Sequence, residues 1–258
     1  MTSKIKSMIS SLISGPPRYY VIDGVIGAGK TYLLTVLHKK LEQMGYTVCS
    51  IAEPVDEWKS NGFLEAFYKN PEKMAYMFQT IVIAARLKHI QKSIQDADPK
   101  TNIFLLERSL WTDQLFMVTL DQMYSLNEIE KRAYKHVWTS FADTFKIPIT
   151  SFIYVRPSLD VCVTRITKRD RKGESSIDKS YLKLLMDQHD AFFLGDQKWS
   201  DTKRIIHLKA KPSSKTTETT DLIVKPCEFR CILLNMSEDF TSDSPIVQKI
   251  ADAVLSVK

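Results

Sequence analysis

Residues Gly24 to Thr31 read G-V-I-G-A-G-K-T and fit G-x-x-x-x-G-K-[ST] at every fixed position. Glycines let the chain curl so that successive backbone N–H groups converge on phosphate oxygens, and the following helix N-terminus adds a fixed positive field. In this pattern Gly24, Gly27, Ala28 and Gly29 form the cradle and Tyr32 leads into the helix. Lys30 reaches the outer phosphates, and Thr31 offers its hydroxyl to Mg²⁺. The apolar run Tyr19–Ile22 before the loop and the helix-like Tyr32–Met44 after it supply the expected context. The motif implies a bound nucleotide polyphosphate and leaves open what is done with it.

Two further strand ends deliver carboxylates. Thr47–Ile51 runs into Ala52-Glu53-Pro54-Val55-Asp56-Glu57-Trp58, and Ile103–Leu106 runs into Glu107-Arg108-Ser109. Ligands of open parallel sheets gather at the carboxyl ends of the strands. Glu107 stands where phosphoryl-transfer proteins keep a magnesium-directing acid, more usually Asp; a solvated loop carboxylate is the plainer reading. Glu53 is the candidate base, because an attacking hydroxyl must lose its proton to a group within hydrogen-bond reach. Pro54 biases Glu53 toward an extended backbone, although Glu53-Pro54 also reads as a simple turn. Arg165 and Arg169 fall on one helical face and Arg171 opens the next loop, with Lys168 and Lys172 interleaved. They form either an arginine clamp on phosphate in transfer or a solvated basic face.

The elements that must position these groups alternate. Strands are expected at Tyr19–Ile22, Thr47–Ile51, Ile103–Leu106, Ser151–Val155 and Phe229–Leu234, with a short one at Arg204–Leu208. Helical spacing covers Thr31–Met44, Pro71–Asp96, Asn127–Thr144, Leu159–Arg169 and Lys179–Phe193, and Ser244-Pro245 caps a last helix. This order predicts an α/β fold, a five-stranded parallel sheet with helices on both faces; with the glycine loop and the arginine run it resembles the P-loop kinase fold, which implies an arginine-bearing lid. One domain spanning 19–258 follows a flexible tail, 1–18, and the Lys-, Ser- and Thr-rich stretch 209–221 is a mobile insertion.

Composition narrows the class. With 258 residues, 44% apolar and 26% charged, the chain suits one globular domain. A net charge of +6 suits polyphosphate ligands, but the dense basic stripe of a nucleic-acid binder is missing, so no nucleic-acid partner is expected. No apolar stretch approaches bilayer-crossing length, so no membrane partner is expected either. Cys49, Cys162, Cys227 and Cys231 lack metal-site spacing, which favours a reducing, cytoplasmic compartment. The acid-free first eighteen residues keep a mitochondrial address as the alternative.

Together these pieces resemble the deoxynucleoside kinases of the deoxycytidine/deoxyguanosine kinase family. The resemblance rests on G-V-I-G-A-G-K-T, E-P-V-D-E-W (Glu53–Trp58), Tyr68, M-F-Q-T (Met77–Thr80) and Arg86. It continues through E-R-S (Glu107–Ser109), Asp113, R-I-T-K-R-D-R (Arg165–Arg171), Glu174 and S-E-D-F (Ser237–Phe240), in family order from about Tyr19 to Phe240. It implies transfer of the ATP γ-phosphoryl group to a deoxynucleoside 5′-hydroxyl, with Mg²⁺, in nucleotide salvage and by a homodimer. By resemblance Glu53 is the base, Arg108 sits beside it and the 5′ oxygen, and Thr31 and Glu107 direct Mg²⁺. Arg165, Arg169 and Arg171 close on the phosphates, while Asp239 and Phe240 belong to the adenine loop. Tyr68 and Glu174 grip the 3′-hydroxyl, Phe78 stacks on the base, Gln79 hydrogen-bonds it and Trp58 walls the pocket. Arg86 and Asp113 pair a donor fork with an acceptor, which suits the amino-bearing edge of cytosine or a purine over thymine. Met117 stands where many relatives carry an aromatic ring, so a softer pocket wall is expected there. A nucleoside monophosphate kinase of the thymidylate kinase type, or a non-catalytic nucleotide switch, are the rival readings.

Overall fold

The computed structural model describes residues 16–171, 174, 177–195, 205–210 and 229–257. The strands are β1 (Arg18–Asp23), β2 (Val48–Ile51), β3 (Ile103–Glu107), β4 (Ile149–Val155), β5 (Ile205–Ala210) and β6 (Phe229–Leu234). They form one sheet in the order β2-β3-β1-β4-β6-β5. The five expected strands pair in parallel, and the short sixth strand joins them antiparallel at the β6 edge. The expected five-stranded parallel sheet is thus present, and the short strand extends it to six with an antiparallel edge. β5 also carries residues 209 and 210, so those two belong to the sheet and not to an insertion. The proposed tail up to residue 15, the stretch 211–221, Lys172 and Cys227 lie outside the described residues.

Nine helices cover the sheet among the described residues: α1 (Lys30–Gln43), α2 (Val55–Ser60), α3 (Phe63–Lys69), α4 (Pro71–Asp96), α5 (Leu110–Tyr124), α6 (Glu128–Thr144), α7 (Leu159–Arg169), α8 (Lys179–Phe193) and α9 (Pro245–Ser256). Successive strand residues face opposite sides, so each strand feeds two cores. Tyr20, Ile22, Ile153 and Val155 join Leu33 and Leu37 of α1 and Val254 of α9 on one face. Val21, Leu106 and Tyr154 join Leu115 of α5 and Phe192 and Phe193 of α8 on the other. Burial on both faces explains why the central strands read as unbroken apolar runs.

Register fixes the site. Ile22 of β1 pairs with Glu107 of β3, and Ile51 of β2 pairs with Leu106. The carboxyl ends of β1, β3 and β2 are thus level, with β3 in the middle. Neighbouring strands lie roughly 4.8 Å apart, so the glycine loop after β1 and Glu53 after β2 are separated by roughly 10 Å, with Glu107 and Arg108 between.

Candidate active site

A cavity of about 560 Å³ opens at these strand ends. The loop side contributes Gly27, Gly29, Lys30, Thr31 and Tyr32; the strand ends contribute Glu53, Glu107 and Arg108. Trp58, Tyr68, Phe78, Gln79, Arg86 and Asp113 line the far side, and Arg165, Arg169, Arg171 and Glu174 line the rim. Residues from seven different elements, distant in sequence, thus reach one space.

The glycine loop is built for close approach. At Gly24 (φ +147°) an added Cβ would lie 2.3 Å from the Val155 carbonyl, and at Gly27 (φ +79°) 2.5 Å from the Cys162 carbonyl. Only glycine lets the loop press against β4 and α7 in these left-handed conformations. That contact also brings α7 alongside the loop, where the Arg165 guanidinium donates to the Ala28 carbonyl at 3.3 Å. Ala28 is fully buried, and Gly24 and Ala28 support the cradle without lining the cavity. Lys30 donates to the Val25 carbonyl at 2.9 Å; burial and the Arg108 charge push its ammonium down to about 8, against the pull of nearby carboxylates.

The Thr31 hydroxyl lies 3.0 Å from both oxygens of Glu107. Burial, then the Glu53 charge, raises the Glu107 carboxyl above its usual range. A hydroxyl and a carboxylate facing triphosphate space are the hard oxygen ligands that Mg²⁺ takes, with phosphate and water completing its shell. No cluster of three or more His, Cys, Asp or Glu side chains suited to a metal occurs among the described residues. The residues fit a magnesium ion carried on a nucleotide.

At the centre, Glu53 receives Nη2 of Arg86 at 2.9 Å and Nε of Arg108 at 3.1 Å. Burial alone would raise its carboxyl, but Arg108, Arg86 and Lys30 outweigh burial and hold it near 2. Arg86 also donates Nε to Asp113 at 3.0 Å, so it bridges the candidate base and the acid expected at the nucleobase. Burial lifts the Asp113 carboxyl to about 6 even with Arg86 beside it. Arg108 has φ +66°, a left-handed conformation rare for a side-chain-bearing residue and typical of functional strain. Its guanidinium stacks 4.6 Å from the centre of the Phe116 ring and donates to Asp23 at 3.3 Å.

The rim and pocket walls follow. Arg169 and Arg171 both donate to Glu174, each at 3.0 Å, so the group expected at the 3′-hydroxyl is gripped by two rim arginines. Burial, then the Glu174 charge, raises the Tyr68 phenol, which stays protonated and able to donate. Phe78 stacks on Phe67 (4.7 Å, 18°) and meets Trp58 edge-on. Asp239 and Phe240 do not line the cavity. Asp239 binds Arg165 at 2.8 Å, and the Phe240 carbonyl accepts from the Tyr32 hydroxyl at 2.7 Å. Both flank the loop from outside.

One expectation is corrected. Met117 is fully buried in the core and absent from the cavity wall, whereas its neighbour Phe116 lines the cavity. The helical turn of α5 aims residue 116 inward, so an aromatic wall is present. Sequence reasoning also passed over Asp23, Phe67, Phe116 and Tyr181. Asp23 carried the same signal as Glu107, an acid ending an apolar strand.

Comparisons with known proteins agree with this geometry. Residues 20–250 match the family model for deoxynucleoside kinases. The chain is 32% identical to a fowlpox virus protein named as a probable deoxycytidine kinase, over 66% of this chain and 68% of that one. It is 27% identical to deoxycytidine kinase 2 of Gallus gallus, over 91% and 88% of the two chains. It is 24% identical to mitochondrial deoxyguanosine kinase of Xenopus laevis, over 94% and 92%. No helix among the described residues is long and apolar enough to cross a membrane. The chain belongs to the deoxynucleoside kinase family and is an ATP-dependent enzyme that phosphorylates nucleosides.

Proposed function

We propose that the enzyme transfers the ATP γ-phosphoryl group to the 5′-hydroxyl of deoxycytidine or a purine deoxynucleoside, in preference to thymidine, as a step of nucleotide salvage. The observation that carries the base preference is the buried Arg86–Asp113 pair lining the cavity, with 2.9 and 3.0 Å contacts. A guanidinium donor fork and a carboxylate acceptor together match an edge bearing both a ring acceptor and an amino donor. Thymine presents its O4 carbonyl and C5 methyl where cytosine presents an amino group, so Asp113 would meet an acceptor in place of the amino donor.

In this reading the loop N–H groups and Lys30 hold the triphosphate, and Arg165, Arg169 and Arg171 neutralise charge on the moving phosphoryl group. Thr31 and Glu107 would hold magnesium, which would supply positive charge against the phosphates. Arg108 steadies the 5′ oxygen beside Glu53. A carboxyl held near 2 is a weak base toward a sugar alcohol. Phosphoryl transfer is loose, however, so the hydroxyl becomes acidic as its bond to phosphorus forms. Glu53 therefore orients the hydroxyl first and accepts its proton late. Turning Arg86 toward the nucleobase would relieve Glu53 of one cation and raise its basicity. Tyr68 and Glu174 hold the 3′-hydroxyl once the lid arginines move to phosphate.

Arg86 and Arg108 are each already engaged by carboxylates, which argues against an acceptor carrying its own phosphate and hence against a monophosphate kinase. By its family likeness the enzyme works as a homodimer through its long helices. The free cysteines Cys49, Cys162 and Cys231 accord with a cytoplasmic setting. Steady-state kinetics with ATP and Mg²⁺ across the four deoxynucleosides test the preference. The expected result is kcat/KM highest for deoxycytidine or a purine deoxynucleoside, and thymidine ranking first would overturn it.

A further inference from the structure

His189 of α8 is fully buried beneath the site and plays no part in the scheme above. Its Nδ1 lies 2.7 Å from the Leu185 carbonyl, an acceptor, so Nδ1 must carry a hydrogen. Its Nε2 lies 3.5 Å from Oδ1 of Asp23 and has no hydrogen-bond partner. In a neutral ring with hydrogen on Nδ1, Nε2 would turn a lone pair on a carboxylate, with no solvent to intervene. The other neutral tautomer would set a lone pair against the Leu185 carbonyl. Beside an ionised Asp23, whose carboxyl is held below its usual range, the imidazolium is the form that donates to the Leu185 carbonyl and turns positive charge on the carboxylate at ion-pair distance.

The neighbours favour the cation. Asp23 of β1 is fully buried and accepts from the Gly24 N–H at 2.7 Å, from Thr112 of α5 and from Arg108 at 3.3 Å. From β4 the Tyr154 ring lies parallel to the imidazole at 6.2 Å, and its hydroxyl is bound to Asp190, which Arg156 also pairs. Phe116 of α5 meets the ring edge-on, and Phe193 of α8 tilts against it. Asp23 is the charged group within ion-pair distance of the ring, and Arg108 is the cation sharing that carboxylate. Charge balance points the same way. Four carboxylates of the linked cluster (Asp23, Glu53, Glu107, Asp113) face three cations (Lys30, Arg86, Arg108), and a protonated His189 supplies the fourth.

We propose that His189 is a buried imidazolium and a positioning residue for phosphoryl transfer, acting through Asp23 on Arg108 and on the first peptide of the glycine loop. The chain of contacts alternates in sign from His189 to Asp23, Arg108 and Glu53. Asp23 holds one guanidinium face of Arg108 while Glu53 takes another, and this keeps the strained Arg108 backbone aimed at the 5′ oxygen. Without the imidazolium, the Asp23 carboxylate is buried with less compensation and draws Arg108 away from Glu53.

The inference rests on the assignment of Glu53 and Arg108 above, and its first test stands apart from that assignment. The enzyme is labelled with ¹⁵N at its five histidines and studied by NMR near neutral pH, with the His189 signals assigned by replacing each of the other four in turn. Two imidazolium-type ring nitrogens at His189 are expected, whatever the preferred nucleoside; a neutral ring would overturn the proposal. The second test is His189→Gln, which keeps a donor toward Asp23 but carries no charge. Its kcat should fall roughly tenfold, with KM for ATP and for the nucleoside nearly unchanged. Asp23→Asn should lose a similar factor, and the double variant should lose no more than either alone. A folded His189→Gln enzyme with wild-type kcat, or fully additive losses, would refute the positioning role.

Discussion

Replacing Glu53 with Gln removes the central carboxylate while keeping its size and one hydrogen-bonding oxygen. Two effects follow from the same contacts. The carboxyl is held near 2 instead of its model-compound value of 4.5, so its ionised form is favoured in the fold by about 3 kcal/mol. Because the folded value is the lower one, this stabilisation is present above pH 4.5 and is lost as pH falls toward 2. A glutamine behaves as a permanently neutral Glu53. The variant should therefore be less stable by about 3 kcal/mol at pH 7 and equal to the wild type near pH 2. For a chain of 258 residues, unfolding entropy near 2.1 cal/mol/K per residue turns this into a drop of about 6 °C in Tm. Catalysis should fall by about 10²–10⁴ in kcat at 25 °C, far below the unfolding transition. ATP affinity should be kept or raised, because a negative charge beside the triphosphate has gone. Calorimetric scans from pH 2 to 8, ATP titration and single-turnover phosphorylation measure all three. Loss of less than tenfold in the transfer rate would refute Glu53 as the proton acceptor. An unchanged Tm at pH 7 would refute the electrostatic reasoning.

Four further outcomes are expected. Lys30 is held near 8 in the free enzyme and should regain its proton against phosphate, so ATP binding at pH 8 takes up roughly half a proton, read by titration calorimetry in buffers of different ionisation enthalpy; zero uptake would contradict it. The same depressed value means that stability attributable to Lys30 rises with pH between about 8 and 10.5, where the unfolded chain holds the extra proton. Gly27→Ala forces a Cβ to within 2.5 Å of the Cys162 carbonyl at a left-handed φ, and should weaken ATP binding at least tenfold, measured by fluorescence titration. Replacing Arg86 by Met together with Asp113 by Ala removes the donor–acceptor pair and opens room for a methyl group. The ratio of thymidine to deoxycytidine kcat/KM should rise at least tenfold, and an unchanged ratio would take base reading away from this pair.

Sequence carried the loop, the level strand ends and the arginine helix because each is a local pattern with a fixed spacing. It failed at α5. Leu110, Thr112, Asp113, Gln114, Leu115, Met117, Val118, Thr119 and Leu120 are all buried, so the helix shows no polar face and no 3.6-residue stripe. Its one readable sign was the Ser109–Thr112 capping box at its start. Missing α5 also misplaced the aromatic wall, since facing Phe116 inward requires knowing the helical phase. α2 and α3, of six and seven residues, are too short for periodicity to register. The direction of β5 depends on its pairing with β6, which no local pattern encodes. The Arg86 bridge between Glu53 and Asp113 was invisible for the same reason, because its three members come from segments that meet only when the sheet closes.

A crystal structure with deoxycytidine and a non-hydrolysable ATP analogue would test the catalytic arrangement most directly. The expected result places the sugar 5′ oxygen roughly 2.6–3.2 Å from the Glu53 carboxylate and roughly 3–3.5 Å from the γ-phosphorus, with the base edge on Arg86 and Asp113. A nucleoside bound with its 5′ oxygen beyond reach of Glu53, or a triphosphate lying away from Lys30, would contradict it.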